Sequence, residues 1–182
     1  MSKKKKIIWS ILFLFLWLFV SMNLLFNTVY YAAHVPRAHY RVPEALAVVD
    51  HISLFTEEEL EGYRTDSDGG NLIGKESWDL SEYITQSSAP EGRNYKFMYE
   101  TASEELFYTI SGNGELQTVH DFKTKTLDIH PLSEVEKREA YDRIQTFITP
   151  IVERQSKPIV NLQWIYNAFN YIWFNSEPYQ AS

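Results

Sequence analysis

The chain contains no cysteine among its 182 residues. Disulfide bonds, thiolate metal sites and a cysteine nucleophile are therefore excluded. The sequence also lacks a Gly-x-Ser-x-Gly elbow and a His-Glu-x-x-His helix, so it carries neither of these hydrolase signatures. The hydrophobic content of 45% and the aromatic content of 15% are nevertheless enough to bury a core. The length predicts one ordinary domain with an appendage.

Positive charge is scarce outside the first six residues. Lys3, Lys4, Lys5 and Lys6 belong to a total of 17 basic residues, which leaves 13 basic against 24 acidic residues elsewhere. A body with a net charge of about −11 repels nucleic acid and anionic lipid headgroups. We therefore expect no nucleic-acid partner.

A run of 27 residues without charge extends from Ile7 to Ala33. About 20 apolar residues suffice to cross the core of a bilayer, so the run predicts a single transmembrane helix. The preceding lysines place the N-terminus in the cytoplasm and the following chain outside the cell membrane. Interfacial aromatic residues are expected near its ends. The residues assigned to the anchor are Lys3, Lys4, Lys5, Lys6, Trp9, Trp17, Tyr30 and Tyr31.

A cleaved secretory signal is the alternative interpretation of this run. The apolar part of such a signal usually has about 7–15 residues, which is shorter than the run observed. Tyr31 would also stand where a signal peptidase needs a small residue, if Ala33 preceded the cut. We therefore expect a retained signal anchor, with the lipid bilayer as partner of residues 7–33.

The rest of the chain predicts a small exterior α+β domain. Residues 34–92 combine short helical patterns with a stretch rich in Gly, Ser, Asp and Asn, which is typical of a loop. Four β-rich runs and then two helical patterns follow, and they predict a four-stranded antiparallel meander with two C-terminal helices. The predicted parts are a cytoplasmic basic flank 1–6, an anchor 7–33, a connector 34–92, a domain 93–176 and a tail 177–182.

The first C-terminal helix is predicted to begin at Ser133, because Ser133 to Glu136 matches a capping box. Its apolar positions continue to Val152. Pro150 lies inside this pattern and should kink or split the helix near Thr149, because proline lacks a backbone donor.

The second C-terminal helix is expected in the uncharged segment NLQWIYNAFNYIWF, residues 161–174. A second membrane span is disfavoured, because several amide side chains would enter the bilayer and no basic residue follows the segment. Leu162, Ile165, Phe169 and Ile172 follow helical spacing and are expected to pack on the sheet.

The remaining face of this helix combines aromatic and amide side chains without charge. Such surfaces are typical of the cores of protein interfaces, and they also suit a helix at the headgroup level of a membrane. The aromatic residues could instead complete the core of the domain. The proposed partner-binding residues are Trp164, Asn167, Tyr171 and Trp173.

Two polar patterns raise the possibility of a metal site. If a hairpin turn is centred on Thr124, His120 faces Asp128 and His130 is a neighbour on the same face, a group that could bind a metal ion or move a proton. Ordinary cross-strand polar pairs are the alternative. Residues 66–77 resemble a calcium loop, but Gly70 stands where an oxygen ligand is needed and Ser77 stands where the bidentate Glu is needed. We expect no bound metal and no cofactor.

Together these patterns indicate a membrane-anchored extracytoplasmic accessory or regulatory subunit. It would bind another membrane or envelope protein and would not catalyse a reaction. An immunity protein that protects against an incoming toxin and a membrane-tethered hydrolase are the two alternatives.

Overall fold

The apolar run at the start of the chain forms helix α1, Lys3–Phe26. The computed structural model describes residues 3–36, 40–66, 71–75, 82–89, 92–101, 104–122 and 128–175. Within these ranges α1 alone is long and apolar enough to cross a membrane, with a mean hydropathy of 2.2. None of that apolar window is buried inside the protein. The predicted anchor is therefore present as a candidate span. A short helix, α2, Thr28–Ala33, follows it.

The chain divides into two compact units. The first contains the described residues of Met1–Val35 and Ser156–Ser182, and the second those of Pro36–Gln155. The first unit therefore combines α1 and α2 with the last helix, α5, Gln163–Asn175. The second contains a helix α3, Pro43–Asp50, the sheet, and a helix α4, Glu134–Glu153.

The sheet has seven antiparallel strands in sequence order, and not the four that the sequence predicted. Its last four strands correspond to the four predicted runs. The other three lie within the segment predicted as a connector, where turn-forming residues separate very short apolar pairs. The strands are β1 Tyr63–Asp66, β2 Leu72–Lys75, β3 Glu82–Ala89, β4 Gly92–Glu100, β5 Glu105–Ser111, β6 Leu116–Asp121 and β7 Asp128–Pro131.

One face of the sheet forms the core of the second unit. Ile84, Phe97, Tyr108 and Val119 are neighbours across β3 to β6, and all four are buried. Helix α4 lies against this row, where the ring of Phe147 is 5.7 Å from that of Phe97. The buried residues of α4 are Ala140, Ile144, Phe147, Ile148 and Ile151.

Pro150 does not split α4, which continues to Glu153 as one helix. Of the two predicted effects, a kink or a split, the split does not occur. The buried residues Phe147 and Ile151 lie on either side of the proline, so packing against the sheet holds both halves of the helix together. Tertiary packing here outweighs the loss of one backbone hydrogen bond.

Candidate functional site

The N-terminal end of α5 is held by Tyr31 of α2, whose side chain is fully buried. The backbone N–H of Leu162 donates to the Tyr31 hydroxyl at 3.1 Å. That hydroxyl in turn donates to the Asn23 amide oxygen at 2.6 Å. The Asn23 amide nitrogen closes the network by donating to the Val160 carbonyl at 3.2 Å. The network ties α5 to the end of α1.

Two further contacts turn the polar side of α5 toward α2. The Gln163 amide nitrogen donates to the Tyr31 carbonyl at 2.9 Å and lies 2.8 Å from the Asn167 amide oxygen. The ring of Tyr166 stacks on that of Tyr31, with centroids 5.6 Å apart. Burial raises the pKa of Tyr166 to about 12. Amide groups and one aromatic ring therefore make the inner surface of this helix.

The outer surface of α5 carries the large apolar side chains. Trp164 is 71% exposed, Tyr171 70%, Ile172 63% and Phe169 62%. Phe169 and Ile172 were expected to pack on the sheet, and that prediction is wrong. Within the predicted stripe Leu162 is buried, and its backbone N–H donates to the Tyr31 hydroxyl.

The four residues predicted to bind a partner do not all face the same way. Trp164 and Tyr171 are exposed on the outer surface of α5. Asn167 is half-buried, and its oxygen accepts a hydrogen bond from Gln163. Trp173 lies in α5, but its side chain is outside the described part of the protein.

The predicted anchor residues are also placed differently from one another. The lysines, Trp9 and Trp17 are exposed on α1, where a bilayer can surround them. Tyr30 is half-buried. Tyr31 is buried by protein contacts, so its side chain is a structural centre of the first unit. Sequence reasoning missed this role, although a polar pair eight residues apart, Asn23 and Tyr31, was a visible signal in the apolar run.

The possible cluster of His120, Asp128 and His130 does not form. His120 is paired with Ile129, and His130 with Val119. Because successive side chains of a strand point to opposite faces, His120 and His130 lie on opposite faces of the sheet. The predicted register, in which His120 faced Asp128, is wrong by one residue, and such a shift moves a side chain to the other face.

His130 instead binds the capping box of α4. Its Nε2 atom lies 2.9 Å from Glu136 Oε1, and its Nδ1 atom lies 3.4 Å from Asp128 Oδ2. Hydrogen bonds from the Ser133 hydroxyl, and then from His130, lower the pKa of Glu136 to about 2. The hydrogen bond to Glu136 raises the pKa of His130. This arrangement stabilises the start of α4.

Replacing His130 by asparagine should remove a pH-dependent contribution to stability. The raised pKa of His130 means that its contribution is present below 6.5 and lost as pH rises through the raised value. The lowered pKa of Glu136 means that its contribution is present above 4.5 and lost as pH falls toward 2. The difference in melting temperature between the native and His130→Asn proteins should therefore be largest between pH 4.5 and 6.5.

The matched control is His120→Asn, on the opposite face of the sheet. Burial, followed by the charge of Lys96, lowers the pKa of His120. Native His120 therefore destabilises the protein as pH falls below 6.5, and its replacement should improve relative stability in acid. Thermal unfolding followed by circular dichroism measures both profiles. Identical pH profiles for the two variants would contradict the assignment.

Residues 66–77, which resemble a calcium loop, lie largely outside the described residues. Comparison of the chain with protein-family models, curated proteins and solved structures finds no match. The candidate site therefore stands on its own geometry.

Proposed function

We propose that this protein is a membrane-anchored extracytoplasmic accessory or regulatory subunit that binds another membrane or envelope protein and is itself non-catalytic. The observation that carries the proposal is the inverted polarity of α5. Trp164 and Tyr171 point outward while Gln163 turns its amide inward to Tyr31. Exposed apolar patches of this kind mark interaction surfaces rather than surfaces in contact with water.

The proposed orientation places the N-terminus in the cytoplasm and the sheet outside the cell membrane. Its support is the four lysines that precede the apolar part of α1, which outnumber Arg37 and Arg41 on the other side. A retained anchor keeps the exterior domain at high effective concentration near a partner in the same membrane.

A protein partner fits the surface of α5 better than the lipid headgroups do. No charged residue occurs between Lys157 and Glu177, so the surface offers nothing to attract charged headgroups. Aromatic side chains interspersed with amides are typical of interface cores. Because α5 and α1 belong to one unit, a partner embedded in the same bilayer can reach this surface. Of the four predicted binding residues, the exposed Trp164 and Tyr171 carry this proposal, while Asn167 lies on the inner side of α5.

A photocrosslinking experiment tests whether the exposed surface of α5 contacts a membrane protein or lipid. We expect Trp164→p-benzoylphenylalanine, expressed as the full chain in intact cells, to form one discrete adduct with an integral membrane protein. The same amino acid at Val135, an exposed position of α4, is the control and should not form that adduct. Adducts with phospholipid alone would assign the surface to the bilayer and overturn the proposal of a protein partner.

The double variant Trp164→Gln, Tyr171→Gln tests whether the captured protein depends on this surface. Its recovery with the detergent-solubilised chain should fall more than tenfold, because aromatic hot spots contribute about 2 kcal/mol or more each. Val135→Gln should leave recovery unchanged. The circular dichroism of the sheet should be preserved in both variants, since all three side chains are exposed. Undiminished recovery by a folded double variant would exclude the aromatic surface as the interface.

A further inference from the structure

The second unit also has a surface with binding features, on the sheet face opposite α4. The helix lies against the face that carries Phe97. On the other face, no described helix lies over the middle strands. A row of neighbouring side chains crosses this open face from β3 to β6. Its members are Tyr83, Met98, Phe107 and His120.

A groove with a volume of about 330 Å³ lies on the open face. The rings of Phe107 and Phe122 meet edge to face in its wall, with centroids 4.8 Å apart. The imidazole of His120 lies nearly parallel to the ring of Phe122, at 6.4 Å and 16°. Thr85 and Thr109, the neighbours of Lys96 across the strands, also line the groove. The groove thus offers an apolar, aromatic wall with nearby hydrogen-bond donors.

Lys96 supplies the positive charge among the residues that line this groove. Its side chain is exposed and forms no ion pair with any described residue. Lys75, on the opposite face of the sheet beside Phe147, is in contrast paired with Glu82. Lys96 therefore leaves the groove able to attract an anion.

The opposite end of the groove carries the opposite charge. Glu105 precedes Phe107 by two residues on β5 and therefore points to the same face. Lys96 is paired with Thr109, four residues further along that strand, so the two charges stand about 13 Å apart along the strand. An anionic group is therefore favoured at one end only.

We propose that this groove binds a small molecule with a flat apolar body and a single anionic group. The anionic group lies at Lys96, between the hydroxyls of Thr85 and Thr109, and the flat body packs against Phe107 and Phe122. The volume falls within the range of about 300–1,000 Å³ that is usual for small-molecule sites. A ligand with a second anionic group at its far end is excluded by the charge of Glu105. This site is separate from the surface of α5.

Binding of 1-naphthoate tests the proposal, with the neutral 1-naphthalenemethanol as comparison. The full chain is held in nanodiscs of zwitterionic lipid, and titrations of empty nanodiscs are subtracted to remove partition into lipid. We expect saturable binding of one naphthoate per chain and at least threefold weaker binding of the alcohol. Absence of saturable naphthoate binding would overturn the proposal. Equal affinity for the two probes would also overturn it, because it would show an apolar surface without an anion site.

Two variants and one control locate the bound probe. Lys96→Gln should weaken naphthoate binding up to about fivefold, as expected for a partly exposed ion pair, and leave the alcohol unaffected. Phe122→Ser should weaken both probes. Phe122 is 46% exposed, and circular dichroism checks that the fold is kept. Lys137→Gln removes a lysine paired with Glu134 on α4 and should change neither probe. Equal effects of Lys96→Gln and Lys137→Gln would refute the anion site.

Discussion

Replacement of Phe147 by alanine is expected to lower the free energy of unfolding of the second unit by about 3–5 kcal/mol. The side chain is almost completely buried between the sheet and α4. Its ring meets those of Phe97 and Tyr63 edge to face, with centroids 5.7 and 5.4 Å away. Truncation removes both contacts and leaves a cavity that the paired strands cannot close by moving.

Urea unfolding of the full chain in detergent, followed by the circular dichroism of the sheet, measures this loss. Val135→Ala is the matched control, because Val135 lies on the same helix and is 68% exposed. Its effect should remain within about 0.5 kcal/mol, as is usual for surface substitutions. Similar losses in the two variants would contradict the assignment of Phe147 to the core.

Replacement of Tyr31 by phenylalanine is expected to loosen α5 without unfolding the sheet. The change keeps the ring that stacks on Tyr166 and removes only the hydroxyl. The buried N–H of Leu162 and the amide oxygen of Asn23 then lose a partner. An unsatisfied buried polar group costs about 1–3 kcal/mol. Because amide exchange follows the population of the open state, this cost corresponds to about 5- to 150-fold faster exchange.

Hydrogen exchange followed by mass spectrometry measures this opening. Peptides covering residues 159–170 should exchange faster in Tyr31→Phe, and peptides from β4 and β5 should not change. The control is Tyr30→Phe, since the Tyr30 hydroxyl makes no hydrogen bond to any described residue. Equally fast exchange in the two variants, or no acceleration in Tyr31→Phe, would refute the role of the hydroxyl. Exposure of the outer face of α5 depends on this same attachment.

Several elements could be predicted because their causes are local. The apolar part of α1 needs no distant contact, since a helix satisfies every backbone group within itself. The capping box at Ser133 and Glu136 uses residues three positions apart, and the structure contains both reciprocal hydrogen bonds. Strands β4 to β7 were visible because short links join runs with high β-propensity.

Other features depend on partners that are distant in sequence. Strands β1 and β2 have 4 residues each and show little periodicity, so they are stable only through pairing with their neighbours. His120 of β6 pairs with Ile129 of β7, one residue away from the predicted pairing with Asp128. This register places His120 and His130 on opposite faces of the sheet. No local pattern distinguishes these alternatives.

In α5, too, some features follow from the local sequence and others from distant contacts. The sequence by itself determined that residues 161–174 are uncharged and have a helical pattern, and that a candidate span lies near the N-terminus. Only the tertiary structure decided which side of that helix is covered. Hydrogen bonds to the buried Tyr31, more than 130 residues away in the chain, turn Gln163 inward and leave Trp164 and Tyr171 outside. Amphipathic spacing assumes that apolar side chains face the protein, and a buried polar network outweighed that preference here.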